Sequence, residues 1–418
     1  MRTFSVKELG LAVTTIALAG ISVVTAASLL AQSASATDVT MNNTTVGGGG
    51  GGGGGKAVSS TIINNSNALL GNLFMIVDFE TANVNPINET YIETSTVNNV
   101  TIMPPNATTG TTINATETVN ATVNILPNGL AFDHGQSLIV SEGDEGGAAE
   151  QENATTTFVD ISRMNPDGTG SGTGVVFFNT NSTGQLAFLD NMVGINQGEL
   201  SPEGGNIRIW EWKGETLPFE TGGGAPITGN QTTMTSVLQE EEAVSSTITN
   251  NSNALLGRLF SYGEGEGEDI ETNVNPINET YIEVSYSGNR ILIPPNATGL
   301  INATEIGNFT INIQPYGLSI NQGQADIMTE RDGAAAEEEE EENATITFVL
   351  LTRTNPDGSG SGTGVTYFST NSTGQLAFLD NTVAIAQVEY SPEEGINRFA
   401  EWEWKGETLP FENMLPQT

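Results

Sequence analysis

Any chemistry in this chain has to be carried by oxygen. Its 418 residues include 50 Asp and Glu, one histidine and no cysteine. Without Cys there are no thiolate nucleophiles, disulfides or zinc–thiolate sites, and a single histidine excludes multi-histidine metal cages. That histidine, His134, sits in the stretch GLAFDHGQ, and a second stretch, GLSINQGQ, has Gln322 in its place. No reaction common to both stretches can depend on it. What remains is carboxylate catalysis of the glycosidase kind, which needs two Asp or Glu about 5–9.5 Å apart, and binding of hard cations. Spacing singles out no acid pair, and the Asp-Thr/Ser-Gly triplet of aspartic proteases is missing. No catalytic residue is assigned.

Two features bear on cations. The segment Asn165 to Gly174 (NPDGTGSGTG) and its copy Asn355 to Gly364 (NPDGSGSGTG) combine a carboxylate, hydroxyls and free carbonyls on glycine-rich backbone. Calcium favours such oxygen donors, but the spaced acids of an EF-hand and the repeat of calcium β-rolls are lacking. A hairpin loop is the expected reading. Glu142, Asp144, Glu145, Glu150 and Glu152 form an acidic stretch matched by Glu330, Asp332 and Glu337 to Glu342. Carboxylates this dense repel one another and read as a solvated loop that divalent cations would screen. No cofactor or metal site is expected beyond weak calcium binding.

Modification chemistry is more strongly marked. Eighteen Asn-x-Ser/Thr acceptors occur. Seven pairs of them match across an internal duplication: Asn64/Asn250, Asn88/Asn278, Asn106/Asn296, Asn114/Asn302, Asn120/Asn308, Asn153/Asn343 and Asn181/Asn371. Several of these pairs persist among neighbours that have diverged, so N-glycosylation is expected in a host that has the pathway. The four tryptophans are Trp210, Trp212, Trp402 and Trp404. A spacing of two puts each pair on one face of a strand. Core or core-edge packing is the expected role, with a sugar-stacking platform as the alternative.

The elements that must position these residues come in two copies. Ala57 to Phe74 returns as Ala243 to Phe260 with two changes in eighteen, and the blocks NVNPINETYIE, NSTGQLAFLDN and EWKGETLPFE also recur in order. The chain therefore divides into residues 1–36, a 37–56 linker containing nine consecutive glycines, a first unit 57–220, a linker 221–242, a second unit 243–412 and a 413–418 tail. Short apolar runs at Thr90 to Thr94, Val119 to Leu126, Thr155 to Ile161, Val175 to Phe178, Leu186 to Leu189 and Ile207 to Trp212 have strand length, and Asn-Gly, Asp-Gly or Gly clusters bound them. The expected fold is all-β: two tandem antiparallel sandwiches of immunoglobulin-like or jelly-roll type.

Arg2 and Lys7 precede an uncharged run from Leu9 to Thr37 that ends in Ala34-Ser35-Ala36. This is the form of a secretory signal cut after Ala36. The stretch Leu9 to Ala31 is also long enough to remain as an uncleaved anchor. Either way the rest of the chain is expected outside the cell or on its surface. A formal charge of −38 repels phosphate and anionic headgroups, so nucleic acid and membrane surfaces are not expected partners.

Taken together, the signal segment, the poly-Gly and Asn/Thr-rich spacer, the lack of Cys, the acidity and the duplicated sequon-dense β-units resemble secreted, glycosylated surface proteins of archaea. The resemblance is compositional. It implies an adhesive or envelope-associated role toward a cell-surface glycan or protein, and it transfers no functional residue. The reading is a non-enzymatic surface protein, with a secreted carboxylate-dependent glycoside hydrolase as the alternative.

Overall fold

The computed structural model describes residues 69–79, 83–105, 112–142, 151–164, 169–201, 204–214, 255–265, 271–295, 299–314, 317–329, 342–355, 358–391 and 396–406. The N-terminal segment, both linkers, the tail and most of the acidic stretches lie outside these residues, as do the candidate acceptors Asn64, Asn106, Asn250 and Asn296.

The first unit has nine strands: β1 (Leu70–Phe79), β2 (Asn83–Pro86), β3 (Tyr91–Ile102), β4 (Ile113–Ile125), β5 (Leu130–Ser141), β6 (Asn153–Met164), β7 (Gly170–Asn179), β8 (Val193–Ser201) and β9 (Gly204–Trp212). The second repeats them as β10 (Leu256–Gly265), β11 (Glu271–Pro276), β12 (Tyr281–Leu292), β13 (Ile301–Ile313), β14 (Leu318–Thr329), β15 (Asn343–Thr354), β16 (Gly360–Ser369), β17 (Val383–Ser391) and β18 (Ile396–Trp404). All pairings are antiparallel, and each unit is one separate sheet.

The expected sandwiches give way to barrels. From β3 to β9 each strand pairs with its sequence neighbour, and β1 pairs with both β9 and β3, closing the sheet into a ring. A sandwich needs two sheets and Greek-key crossings, whereas here the meander removes its own edges by closure. Closure is complete at one end only. Met75 to Asp78 of β1 pair with Asn99 to Ile102, while further along β3 the short β2 takes over, pairing Asn83 to Pro86 with Ile92 to Ser95. The barrel is splayed at that end. The opposite end is capped by the NSTGQLAFLDN block. Ala187–Leu189 form a 3₁₀ turn there rather than the expected strand, and the fully buried Leu186 before it and Leu189 within it plug the barrel, as Leu376 and Leu379 do in the second.

The glycine-rich segments are also reassigned. Gly170 to Gly174 and Gly360 to Gly364 belong to strands β7 and β16 instead of a loop. Their alternate glycines face inward, and a Cβ on Gly174 would collide with the Asp160 carboxyl and one on Gly364 with Leu350. The glycines give neighbouring side chains room to lie flat on the wall.

The two barrels share a core. The outer faces of strands β5 to β9 and of their copies pack together in one apolar cluster that includes Phe132, Val159, Ile161, Ile195, Ile320, Val349, Leu351 and Ile385. The tryptophans occupy its centre. Trp210 packs edge-to-face on Trp404 with centroids 5.9 Å apart, and Trp212 on Trp402 at 6.1 Å. The Trp212 indole N–H donates across the seam to Gln387 at 2.9 Å. Arg163 lies over Tyr367 and, reciprocally, Arg353 over Phe177. Equivalent residues exchange equivalent contacts, which is the isologous pattern of a two-fold dimer built within one chain. The tryptophans do pack in a core, and that core joins the two units.

Candidate functional site

Inside the barrels the copies diverge. Barrel two balances its internal charge. Arg290, 1% exposed, donates from Nε to Glu305 at 2.7 Å, bonds Glu401, and reaches Ser261 Oγ at 2.7 Å. Tyr286 donates to Glu305 at 2.6 Å and Thr366 to Glu401 at 2.9 Å. Burial alone would lower the Arg290 pKa, but the two carboxylates outweigh it and hold the guanidinium protonated.

Barrel one keeps one carboxyl of that network and loses the cation. The strand registers set Glu117 where Glu305 stands, but Val100 replaces Arg290 and Ile209 replaces Glu401. Glu117 is 8% exposed and accepts from Asn98 Nδ2 at 3.0 Å and from Ser137 Oγ at 2.6 Å. Burial raises its pKa, and these two hydrogen bonds offset the rise only in part. The Oδ1 of Asn98, a residue 4% exposed, has no hydrogen-bond partner.

Toward the splayed end two more acids face inward. Asp133 on β5 and Asp160 on β6 are register partners, directly opposite one another. Asn196 Nδ2 donates to Asp160 at 2.7 Å, while Asp133 Oδ1 is shielded from solvent without a hydrogen bond. Burial pushes Asp133 up to about 6, against a contact from Ser162. Asp160 rises to about 8, first through burial and then through the charge of Asp133. Like charges on opposed strand positions repel, and the pair is suited to holding a shared proton. In barrel two the same positions carry Asn321 and Leu350. The Asp133–Asp160 pair is therefore not repeated in the second unit.

The layer between the two acidic levels carries smaller side chains in barrel one. In barrel two it holds three rings, Tyr286 on Phe309 at 5.7 Å and Phe309 on Phe348 at 6.3 Å, all 3% exposed or less. In barrel one the corresponding residues are Thr96, Ala121 and Phe158, and all three are only half-buried. Asp133 and Asp160 are half-buried as well.

A concavity of about 660 Å³ lies outside barrel one against barrel two. Its wall includes Asn85, Glu93, Asn120, Thr122, His134, Gln136, Thr157 and Gln314, a surface of amides and hydroxyls. The His134 ring approaches the Thr122 hydroxyl at 2.8 Å, and burial lowers its pKa. The only histidine thus lies in a polar groove, although its copy Gln322 leaves barrel two without an equivalent.

Of the candidate glycosylation sites, Asn88, Asn114, Asn120, Asn153, Asn181, Asn278, Asn302, Asn308, Asn343 and Asn371 are exposed, as is the additional acceptor Asn99. Many sit on strands whose alternate residues point into a barrel, so exposure was not guaranteed by position. Glu152 and Glu342, the last acids of the acidic stretches, are anchors: Glu342 accepts the N–H groups of Gln375 and Leu376 at 2.7 and 2.8 Å and the Ser372 hydroxyl, and Glu152 does the same for Gln185, Leu186 and Ser182. Burial would raise both pKa values, but these bonds lower them. Among the described residues no group of three or more acidic or histidine side chains is arranged to hold a metal.

No protein-family model, curated protein or solved structure matches the chain.

Proposed function

We propose that this is a non-enzymatic extracellular protein, associated with the cell surface or envelope, that presents two fused β-barrels as one rigid body. The observation that carries the reading is the outward placement of every described sequon asparagine. Acceptor asparagines on β3, β4 and β13 lie outside the apolar cluster that joins the barrels. A glycan coat there suits a protein that meets solvent and neighbouring cells, and the charge of −38 keeps it soluble and clear of anionic surfaces.

The polar groove beside His134 is the contact surface best suited to a cell-surface glycan or protein, because amides and hydroxyls match sugar hydroxyls. Stacking platforms made of tryptophan are not part of the proposal, since all four rings are spent on the seam. The test is site-resolved mass spectrometry of the protein from its native host. Occupancy at several matched pairs, such as Asn88/Asn278 and Asn114/Asn302, is the expected result. Unmodified asparagine at every acceptor would remove the main support for the reading.

A further inference from the structure

The two barrels are close copies, so where one holds an internal group and the other does not, the difference marks what is missing. Barrel two supplies its own guanidinium to its inward carboxylates and its own three rings to the layer above them. Barrel one has three inward carboxyls, Glu117, Asp133 and Asp160, and among the described residues no Lys, Arg or His faces inward beside them. Two of the three rings are gone, replaced by Thr96 and Ala121.

We propose that the splayed end of barrel one is a binding chamber for a small organic ammonium compound with an aromatic or apolar body. The body takes the space that Tyr286 and Phe309 fill in barrel two, against Phe158. The cationic head meets Asp133 and Asp160, which offer several acceptor lone pairs to its N–H groups.

Beyond the charge of the acid pair, the Oδ1 of Asp133 is independent support. That atom is shielded from solvent and accepts no hydrogen bond. Buried polar atoms are nearly always satisfied, and an orphan of this kind points to a missing donor. The half-exposure of Thr96, Ala121, Phe158, Asp133 and Asp160 supplies the route in, since their barrel-two counterparts Tyr286, Phe309, Phe348 and Leu350 are sealed and Asn321 is buried. An organic cation fits this donor set better than a metal ion: an ammonium is satisfied by two or three acceptors, while calcium takes six to eight oxygens and no such group is gathered among the described residues. The inference is independent of where the protein resides.

Isothermal titration of the full chain with benzylamine, benzyl alcohol and calcium chloride tests it. Benzylamine should bind one site per chain, and benzyl alcohol, with the same ring and no charge, about 10–100-fold more weakly, the range expected for charge-assisted hydrogen bonds. Two variants borrow barrel-two residues and so are compatible with the fold. Asp133→Asn with Asp160→Leu should weaken benzylamine by a similar factor, and Ala121→Phe should abolish binding by refilling the ring position, with unfolding curves confirming that both are folded. Benzylamine heats absent at millimolar concentration, or unchanged in both folded variants, would overturn the proposal. Stoichiometric calcium binding that the double variant removes, with no amine binding, would overturn it in favour of a metal site.

Discussion

Substituting Arg290 by Val, the residue barrel one carries at that place, should leave Glu305 and Glu401 buried at 1% and 0% exposure with no cation between them. The guanidinium's hydrogen bonds to Glu305, Glu401 and Ser261 are lost, together with its stacking 4.7 Å from the Phe399 ring. Breaking a buried ion pair from one side costs about 3–5 kcal/mol, mostly because the remaining charge is uncompensated. Glu305, whose pKa burial already raises, can answer by taking up a proton once the cation is gone, so the cost should be smaller at pH 5 than at pH 8. Glu401→Ile, the second barrel-one residue, removes one of the stranded acids. In the Arg290→Val background it should therefore restore stability, and the double-mutant cycle should show a favourable coupling of about 2 kcal/mol or more. Urea unfolding of the four proteins, followed by tryptophan fluorescence, measures this. If Glu401→Ile destabilised Arg290→Val further, or if the effects were additive, the account of barrel one as the same wall without its internal cation would fail.

Two further outcomes follow from the seam and the acid pair. Trp212→Ala in the full chain should cost about 3–5 kcal/mol, the range for truncating a buried aromatic, whereas in an isolated first unit the ring has already lost Trp402 and Gln387 and the cost should be smaller; equal costs would mean that the ring is held by its own barrel. The folded-state pKa values of Asp133 and Asp160 lie above the ordinary aspartate value of 3.8, at about 6 and about 8, so the folded state binds more protons than the unfolded state in between. Stability should fall as pH rises from 4 to 8, with Asp133 alone corresponding to about 3 kcal/mol. Comparison with Asp133→Asn/Asp160→Leu isolates this effect from the other acids, and parallel pH profiles of the two proteins would refute it.

Strand content and duplication were legible in the sequence because both are local signals. Runs such as Thr155 to Ile161 and Ile207 to Trp212 lie within β6 and β9, and the repeated blocks mark equivalent elements. Closure was not legible, since it depends on β1 meeting β9 from the opposite end of the unit, and a meander and a Greek key are built from similar strands. The seam left a trace in Val175 to Phe178 and in Phe348 to Leu351, where apolar residues run without alternation. Such runs mean burial on both faces, and a second barrel is what covers the outer one. Leu186 to Leu189 misled because a short apolar run also suits a plug. The acid pair was visible only by comparing the copies, where Asp133 stands against Asn321 and Asp160 against Leu350. A charge replacing an apolar residue at an inward position was the signal, and composition alone hid it among 50 acids.

The central claim, that the barrels stand outside the cell, is tested most directly by labelling intact host cells with a membrane-impermeant amine reagent. Lys213 and Lys405 are exposed at the ends of β9 and β18 and provide reactive positions on both barrels. Modification of both lysines on intact cells, or in the culture medium if the protein is released, is the predicted result. Labelling that appears only after the cells are lysed would contradict it.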